Sequence, residues 1–297
     1  MSFRARLLAL EALLLDGGMG SALIARGLKL GAPPESWNLE RAEDVTAVHR
    51  LYVDAGSEAI HTNSFGANPL RLGAYGLADR CEEINRAAVS VARAARPRFV
   101  IGDVGPTGEY LPPLGRGDIE SWRAAFERQG RALAEAGVDA FHLETMSDIR
   151  EAQIALESLL RVAPAIPVMA SMAFERKKRG FFTVMGDPLV ASLVALAEAG
   201  ATAVGANCNL TSDDMVALMT EAVAAVSMPL VAQPNAGTPE LAGDGSFRYA
   251  QRPADFASDM AAIARLGVRA VGGCCGSDDR FIAALRMALP RNEMERE

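Results

Sequence analysis

The chain has 297 residues, half of them hydrophobic, and a formal net charge of −7. This length and composition allow a large buried core within one α/β barrel domain. The acidic balance argues against nucleic acid or an anionic membrane surface as a partner. No apolar run approaches the roughly 20 residues that a bilayer-spanning helix needs.

Apolar residues near the N-terminus follow two basic ones, Arg4 and Arg6, and loosely resemble a secretion signal. Glu11 interrupts this stretch, no small-residue cleavage site follows it, and it continues directly into Asp16. We therefore predict a short helix and then a first strand. We also expect a cytoplasmic protein in which the four cysteines stay reduced and form no disulfide framework.

A short phrase recurs four times along the chain, each time with a glycine between a helical pattern and an apolar run. These glycines are Gly56, Gly137, Gly200 and Gly267. Glycine is typical of the left-handed position that ends a helix, and the apolar run predicts a buried strand. Together with the other apolar runs, the pattern predicts eight strands. They lie near 13–16, 58–63, 98–104, 139–144, 167–173, 202–207, 229–233 and 269–272.

The alternation of these strands with helices predicts a single-domain (β/α)₈ TIM barrel. We expect the domain to span 1–297, with a core at about 11–290 and a short charged tail at 291–297. The alternative is an open doubly wound sheet, but residues 16–20 do not form the Gly-x-Gly-x-x-Gly phosphate turn of that fold. Three polar residues predict helix starts: Asp148, Ser212 and Ser277.

Polar residues and glycines cluster where the predicted strands end, whereas the bodies of the strands are apolar. Barrel enzymes place their active sites on this face, so the pattern predicts an enzyme. The residues are Asp16, Gly17 and Gly18 after strand one, Asn63 after strand two, Glu144 after strand four, Asn207 and Cys208 after strand six, and Cys274 and Cys275 after strand eight.

Three of the four cysteines converge at the predicted barrel mouth: Cys208 and the adjacent pair Cys274 and Cys275. Three thiolates can hold Zn²⁺ and leave the fourth tetrahedral position open, which is the pattern of a catalytic site. The neighbouring glycines allow the backbone to turn both adjacent thiols toward one ion. The alternatives are buried free cysteines or a Cys274–Cys275 disulfide. Cys81 lies alone in a helix, and we interpret it as structural.

An open zinc position predicts chemistry on a thiol. Zinc favours deprotonation of a coordinated thiol at neutral pH, and the thiolate is a nucleophile toward an activated methyl group. Asp16 and Glu144 are candidates to bind the ammonium group of an amino-acid substrate, and the N–H groups of Gly17 and Gly18 are candidates for its carboxylate. The alternative for Asp16 is a turn-forming role, whereas a carboxylate that ends a buried strand, as at Glu144, needs a partner.

The histidines His49, His61 and His142 are scattered along the sequence, and we interpret His142 as packed within strand four rather than as a ligand. The basic run at 177–179 is interpreted as a solvated loop after strand five.

Seven motifs in order resemble the homocysteine S-methyltransferase family, which includes betaine- and S-methylmethionine-dependent enzymes and the homocysteine domain of cobalamin-dependent methionine synthase. The motifs are Asp16-Gly17-Gly18-Met19-Gly20, Thr62-Asn63-Ser64-Phe65, Gly105-Pro106-Thr107, Glu144-Thr145, Gly205-Ala206-Asn207-Cys208, Pro234-Asn235-Ala236-Gly237 and Gly272-Gly273-Cys274-Cys275-Gly276. The resemblance covers about Leu13 to Leu289 and implies a (β/α)₈ barrel.

For function, the resemblance implies zinc-dependent transfer of a methyl group to the thiol of homocysteine, which forms methionine, with one Zn²⁺ per chain. The implied zinc ligands are Cys208, Cys274 and Cys275. The implied homocysteine contacts are Asp16 and Glu144. We expect Gly17, Gly18, Asn63 and Asn207 to line the same substrate site. A different thiol acceptor and a non-catalytic zinc-binding barrel stay as alternatives.

One position departs from the family pattern. In some relatives a Tyr or Asn just after the Phe of the strand-two motif completes the zinc shell when substrate is absent. Gly66 stands there in this chain, so Asn63, Asn207 or a water is the expected resting ligand. Ser21 is a milder departure, because Thr is common at that position.

The methyl donor stays open between a small onium compound, S-methylmethionine or betaine, and a methyl-corrinoid carried by a separate corrinoid protein. Because the chain ends where the predicted barrel ends, we expect no attached folate or cobalamin domain. An onium favours an aromatic cage, for which Trp37 and Tyr110 are too few. A corrinoid needs a docking surface at the barrel mouth, for which the loops at 108–117 and 177–179 are candidates.

Overall fold

The computed structural model describes residues 1–241 and 247–289, and the predicted charged tail lies outside them. Eight parallel strands form an almost closed barrel, which confirms the predicted fold. The barrel strands are β1 (Leu13–Leu14), β2 (Ala59–His61), β3 (Phe99–Val104), β4 (Ala140–Met146), β5 (Val168–Met172), β8 (Ala203–Asn207), β9 (Leu230–Gln233) and β12 (Ala270–Val271). Two antiparallel hairpins follow β5 and β9: β6 (Glu175–Lys177) with β7 (Gly180–Phe182), and β10 (Pro239–Leu241) with β11 (Phe247–Tyr249).

Helices occupy the segments between the barrel strands. They are α1 (Phe3–Leu7), α2 (Met19–Ala25), α3 (Trp37–Glu40), α4 (Ala42–Asp54), α5 (Pro69–Gly73), α6 (Cys81–Ala94), α7 (Ile119–Ala136), α8 (Ile149–Val162), α9 (Leu189–Glu198), α10 (Ser212–Ala225), α11 (Pro253–Arg265) and α12 (Asp279–Ala288). Single 3₁₀ turns lie at Pro34–Ser36 and Ala78–Arg80. Within the described ranges, no helix is long and apolar enough to cross a membrane.

The strand order runs β1-β12-β9-β8-β5-β4-β3-β2, so the strands at the two ends of the sheet must meet to close the barrel. They meet where the Glu58 N–H donates to the Leu14 carbonyl at 2.9 Å. The four repeated glycines at 56, 137, 200 and 267 all have positive φ values, between 89° and 110°. This confirms that they turn the chain from each helix into the next strand.

The helix starts were predicted with mixed accuracy. Asp148 caps α8, since its carboxylate accepts the Arg150 N–H at 2.9 Å. The prediction at Ser212 is also right, because α10 begins there. The prediction at Ser277 is wrong: Asp278 caps α12, and the Ser277 hydroxyl instead donates to the Cys274 carbonyl at 2.6 Å.

Side chains that point into the barrel form an apolar floor beneath a polar layer. The floor consists of one cluster of buried residues: Leu13, Leu15, Ala59, Phe99, Ile101, Ala140, Met169, Ala203, Val231 and Ala270, with Phe3 and Leu7 of α1 packed beneath. Because side chains alternate along a strand with a period of two, the next inward position on each strand lies nearer the mouth. On five strands, β2, β3, β4, β5 and β9, that position holds a buried polar residue: His61, Asp103, His142, Ser171 and Gln233. The floor therefore stabilises the barrel, and the polar layer supports the site above it.

The basic run at 177–179 is not a plain loop, which corrects that prediction. Lys177 ends β6 and pairs with Gly180 at the start of β7, so the run forms the tip of an antiparallel hairpin. All three basic side chains at the tip are exposed.

Candidate active site at the carboxyl end of the barrel

The three predicted metal ligands come together in the structure. The Sγ atoms of Cys208 and Cys275 lie 3.9 Å apart, those of Cys274 and Cys275 lie 4.0 Å apart, and all three lie within 4.8 Å of one another. Three sulfurs at about 2.3 Å from one tetrahedral Zn²⁺ would be about 3.8 Å apart, so the thiols fit such an ion. The 4.0 Å spacing also rules out a disulfide between Cys274 and Cys275 in this structure, since that bond would measure about 2.05 Å.

The backbone turns the thiols toward one another at two unusual positions. Cys208 and Asn209 have φ values of 59° and 54°, a left-handed conformation that non-glycine residues seldom adopt. The adjacent pair is held from β9, because the Cys274 N–H donates to the Pro234 carbonyl and the Cys275 N–H donates to the Asn235 side-chain oxygen. Strained backbone of this kind persists where the surrounding structure enforces it, and it is frequent at functional sites.

The electrostatics of the thiols also favour a cation. Hydrogen bonds from Cys274 and Cys275 lower the pKa of Cys208 to about 3. Hydrogen bonds to Cys208 and Cys275, then burial, and last the repulsion from those neighbouring sulfurs raise the pKa of Cys274 well above its usual range. A divalent cation among the sulfurs would relieve that repulsion and remove the remaining protons.

Cys81 differs from the other three cysteines. It is buried at the start of α6, its thiol donates to the Ala67 carbonyl at 3.2 Å, and burial raises its pKa to about 12. These contacts support the predicted structural role.

A cavity of about 520 Å³ opens beside the cysteines. The thiols line it, and so do the carboxyl groups of buried Asp16, buried Asp103 and half-buried Glu144, which we call the cavity floor. Neither Trp37 nor Tyr110 lines the cavity. Trp37 instead stacks against the Arg41 guanidinium, whose central carbon lies 4.1 Å from the ring centroid.

The cavity floor, which is formed by the polar layer above the apolar floor of the barrel, contains a chain of hydrogen bonds that the sequence analysis did not predict. Both Asp16 carboxylate oxygens bind His61, one through the backbone N–H at 2.9 Å and one through the ring Nδ1 at 2.6 Å. The His61 Nε2 lies 2.9 Å from the His142 Nδ1, and the His142 Nε2 lies 2.7 Å from the Ser171 hydroxyl. Two histidines that are 81 residues apart are therefore neighbours in space.

The charge in this chain of hydrogen bonds resides on His61. Burial alone lowers the pKa of His61, but the carboxylates of Glu144 and Asp16 outweigh that effect and raise it to about 9. Burial and the positive charge on His61 hold the pKa of His142 well below its usual range. A protonated His61 then donates from both ring nitrogens, to Asp16 and to the neutral His142.

Two carboxyl groups in the floor are incompletely bonded. Glu144 Oε1 and Asp103 Oδ1 are buried and have no hydrogen-bond partner. Burial raises the pKa of Glu144, and burial together with the nearby Glu144 raises the pKa of Asp103 well above its usual range. Such groups bind a cationic donor readily, because a buried acceptor without a partner is destabilised.

Asn207 supports the strand that carries Glu144. Its side-chain oxygen accepts the Thr145 N–H at 2.7 Å, and its amide donates to the Thr145 hydroxyl at 2.8 Å. Thr145 has a φ of 57°, which is strained for a β-branched residue. The two hydrogen bonds from Asn207 therefore stabilise the positive φ of Thr145 at the end of β4.

Asn63 and the glycine pair also make contacts within the protein. The Asn63 amide donates to the Pro34 carbonyl at 2.8 Å and to the Asn38 side-chain oxygen at 3.0 Å. The Gly18 N–H donates to the Ser277 carbonyl at 2.9 Å, and a Cβ on Gly18 would lie 2.6 Å from the Cys274 carbonyl oxygen. The glycines thus allow the first turn to pack directly against the cysteine pair.

Gly66, the expected departure from the family pattern, packs closely against two other side chains. The Gly66 N–H donates to the carboxylate of buried Glu35 at 2.6 Å. A Cβ on Gly66 would lie 2.8 Å from that same oxygen and 3.0 Å from the Arg71 side chain. A side chain at position 66 would therefore displace Glu35 or Arg71.

These features, a parallel barrel with three convergent thiols beside a cavity lined by carboxyl groups, are typical of a barrel enzyme whose active site lies at the carboxyl end of the strands. The sequence profile of homocysteine S-methyltransferases matches residues 13–289. The chain belongs to the homocysteine S-methyltransferase family.

Solved structures of a relative have the same fold. The homocysteine methyltransferase MmuM from Escherichia coli in its metallated form superposes with a TM-score of 0.80 at 27% identity, over 96% of this chain and 98% of MmuM. The oxidized form of MmuM gives a TM-score of 0.79 at 28% identity, over 96% of this chain and 99% of MmuM.

Among curated sequences, the methionine synthase of Mycobacterium tuberculosis is 30% identical over 293 residues, which cover 92% of this chain and 24% of that enzyme. The methionine synthase of Mycobacterium leprae is 28% identical, over 96% of this chain and 25% of that enzyme. The chain thus spans about a quarter of the length of these relatives.

Proposed function

We propose that this chain transfers a methyl group to the thiol of homocysteine and forms methionine, with one Zn²⁺ held by Cys208, Cys274 and Cys275. The observation that carries the proposal is the set of three thiols at zinc-ligand spacing beside a cavity with buried carboxyl groups. Membership of the family supports homocysteine as the acceptor, and the metallated form of MmuM supports a metal.

When bound among the three sulfurs, Zn²⁺ would supply the Lewis acidity that keeps an acceptor thiol deprotonated at neutral pH. The protein's own residues position the reactants. The carboxyl groups of the cavity floor would bind the amino group of the acceptor. The acceptor sulfur then attacks the methyl carbon, the S–CH₃ bond forms, and the bond from methyl to donor breaks with its electron pair left on the donor.

The zinc assignment is tested by metal content. Reduced wild-type protein should bind about one Zn²⁺ per chain, and the Cys274→Ala, Cys275→Ala double variant should bind none and lose activity. Cys81→Ala is the matched control and should keep its zinc. Full zinc content in the double variant would refute the assigned ligands.

The donor is tested with purified components. We propose two versions: a small onium, S-methylmethionine or betaine, which enters the cavity directly, or a methyl-corrinoid from a separate corrinoid protein that docks at the mouth. Zinc-loaded protein is given homocysteine with each donor in turn, and methionine is measured by mass spectrometry. Turnover with an onium alone excludes an obligatory corrinoid partner, whereas turnover only with a methylated corrinoid supports one.

A further inference from the structure

The cavity floor contains more charged groups than the family motifs account for. Asp16 and Glu144 belong to the motifs, but Asp103 on β3 and His61 on β2 do not. Asp103 and His142 are paired in register on neighbouring strands, and Glu144 is two residues farther along the same face. The register therefore brings Asp103 beside Glu144 in the floor.

The two acidic residues of the motifs, Asp16 and Glu144, differ in their hydrogen bonding. Asp16 is bonded by His61 on both carboxylate oxygens and is 2% exposed. Glu144 Oε1 and Asp103 Oδ1, in contrast, are buried and accept no hydrogen bond. The nearest cationic or donor atoms to Glu144 Oε1 are His142 Nδ1 at 3.5 Å and His61 Nε2 at 3.9 Å. The floor acceptors that lack a hydrogen bond are thus on Glu144 and Asp103, whereas both oxygens of Asp16 are hydrogen-bonded to His61.

We propose that Asp103 is a specificity-determining residue which, together with Glu144, binds the ammonium group of the acceptor, while His61 neutralises Asp16. This inference rests on the proposed function, because it concerns the amino group of the same acceptor. An ammonium group has three N–H donors, enough to satisfy both orphaned oxygens. With Asp16 hydrogen-bonded to His61, an ammonium group would balance negative charge on the neighbouring Asp103 and Glu144.

A metal ion is the competing occupant, since ligand atoms of His61, His142 and Glu144 lie within 4.8 Å of one another. The hydrogen bonds disfavour it. The facing ring nitrogens of the two histidines are bonded to each other, and their outer nitrogens are bonded to Asp16 and Ser171. A metal ion would have to break the bond between the rings.

The test compares two thiols that differ only in the amino group: homocysteine and 4-mercaptobutanoate. Their dissociation constants are measured by titration calorimetry on zinc-loaded protein, which needs no methyl donor. Asp103→Asn should weaken homocysteine binding roughly 10- to 100-fold, the range for loss of a hydrogen bond to a charged group. It should leave 4-mercaptobutanoate unchanged. Asp103→Ser serves if the Asn variant does not fold.

Asp139→Asn is the matched control, because Asp139 binds Arg93 at the opposite end of the barrel. This variant should leave the dissociation constants of both homocysteine and 4-mercaptobutanoate unchanged. Equal loss for both thiols, or no loss for either, would overturn the inference while leaving homocysteine as the acceptor. If wild-type protein neither binds nor methylates homocysteine, the proposed function itself fails. A second zinc equivalent that is lost in His61→Gln would assign the cluster to a metal and also overturn the inference.

Discussion

At the scale of single residues, the charge on His61 links the cavity floor to stability. Four titratable side chains face it: the carboxylates of Asp16 and Glu144, which raise its pKa, and the rings of His142 and His49. The pKa of His61 is about 9 in the folded protein, against about 6.5 for an ordinary histidine. Because the folded pKa is the higher one, this stabilisation is complete below about pH 6.5 and is lost as the pH rises through 9.

We therefore predict that wild-type protein is more stable than His61→Gln at pH 6. That advantage should shrink by on the order of 3 kcal/mol by pH 10. Urea unfolding of both proteins across this range, with identical zinc loading, measures the difference and cancels the titration of groups that do not interact with His61. An advantage that does not change with pH would show that His61 is neutral in the folded protein.

Asn207 gives a second prediction at this scale. Asn207→Ala removes both bonds to strained Thr145 and should destabilise the protein by about 2 kcal/mol. It should also lower activity, since Glu144 precedes Thr145. In a Thr145→Gly background the same change should be less destabilising, because glycine adopts positive φ without strain. Denaturant unfolding measures the loss of stability in both backgrounds. Equal losses would contradict the inference that Asn207 stabilises the strained backbone of Thr145.

At the scale of elements, the packing of β8 on β9 sets where Cys208 lies. Gly205 is on β8, and a Cβ there would overlap the backbone carbonyl of Val231 on β9. Gly205→Ala should therefore force the strands apart, destabilise the protein by about 3 kcal/mol and weaken zinc binding through the displaced Cys208.

Gly20→Ala is the matched control, because nothing lies within 4 Å of its added Cβ within α2. It should be neutral or stabilising by about 0.5–1 kcal/mol. Thermal unfolding and zinc titration of both variants test the pair. Unchanged zinc affinity in Gly205→Ala would show that the strand spacing does not position the cysteine.

At the scale of the whole molecule, α1 closes the bottom of the barrel. Phe3 and Leu7 join the apolar floor cluster, and the Phe3 ring meets Phe99 edge-on with centroids 5.5 Å apart. Buried Arg6 forms an ion pair with Glu58, next to the residues that close the sheet. The apolar start of the chain is thus part of the folded barrel.

Phe3→Ala should destabilise the protein by about 3–5 kcal/mol, since it leaves a cavity beneath the barrel floor. Leu10→Ala is the control at the same end of the chain, and should have little effect because Leu10 is 81% exposed. Chemical denaturation compares the two. A small loss for Phe3→Ala would show that α1 docks only loosely.

The barrel could be predicted from sequence because its signals are local. Helix-ending glycines, apolar strands and polar strand ends recur along the chain, and each depends on neighbours within a few residues. The same regularity predicts that Cys208, Cys274 and Cys275 lie on one face of the barrel. Ser277 was misjudged as a helix start by one residue, since either it or Asp278 can cap a helix.

Only the tertiary structure decided which polar groups share the cavity floor. A period of two does place His61 on the face of Asn63, and His142 on the face of Glu144, and the predicted barrel makes consecutive strands neighbours, but neither gives the register between them. The contact of His61 with His142, and the position of Asp103 beside Glu144, depend on the register between β2, β3 and β4. Register is set by closure of the whole barrel, so no local pattern contains it.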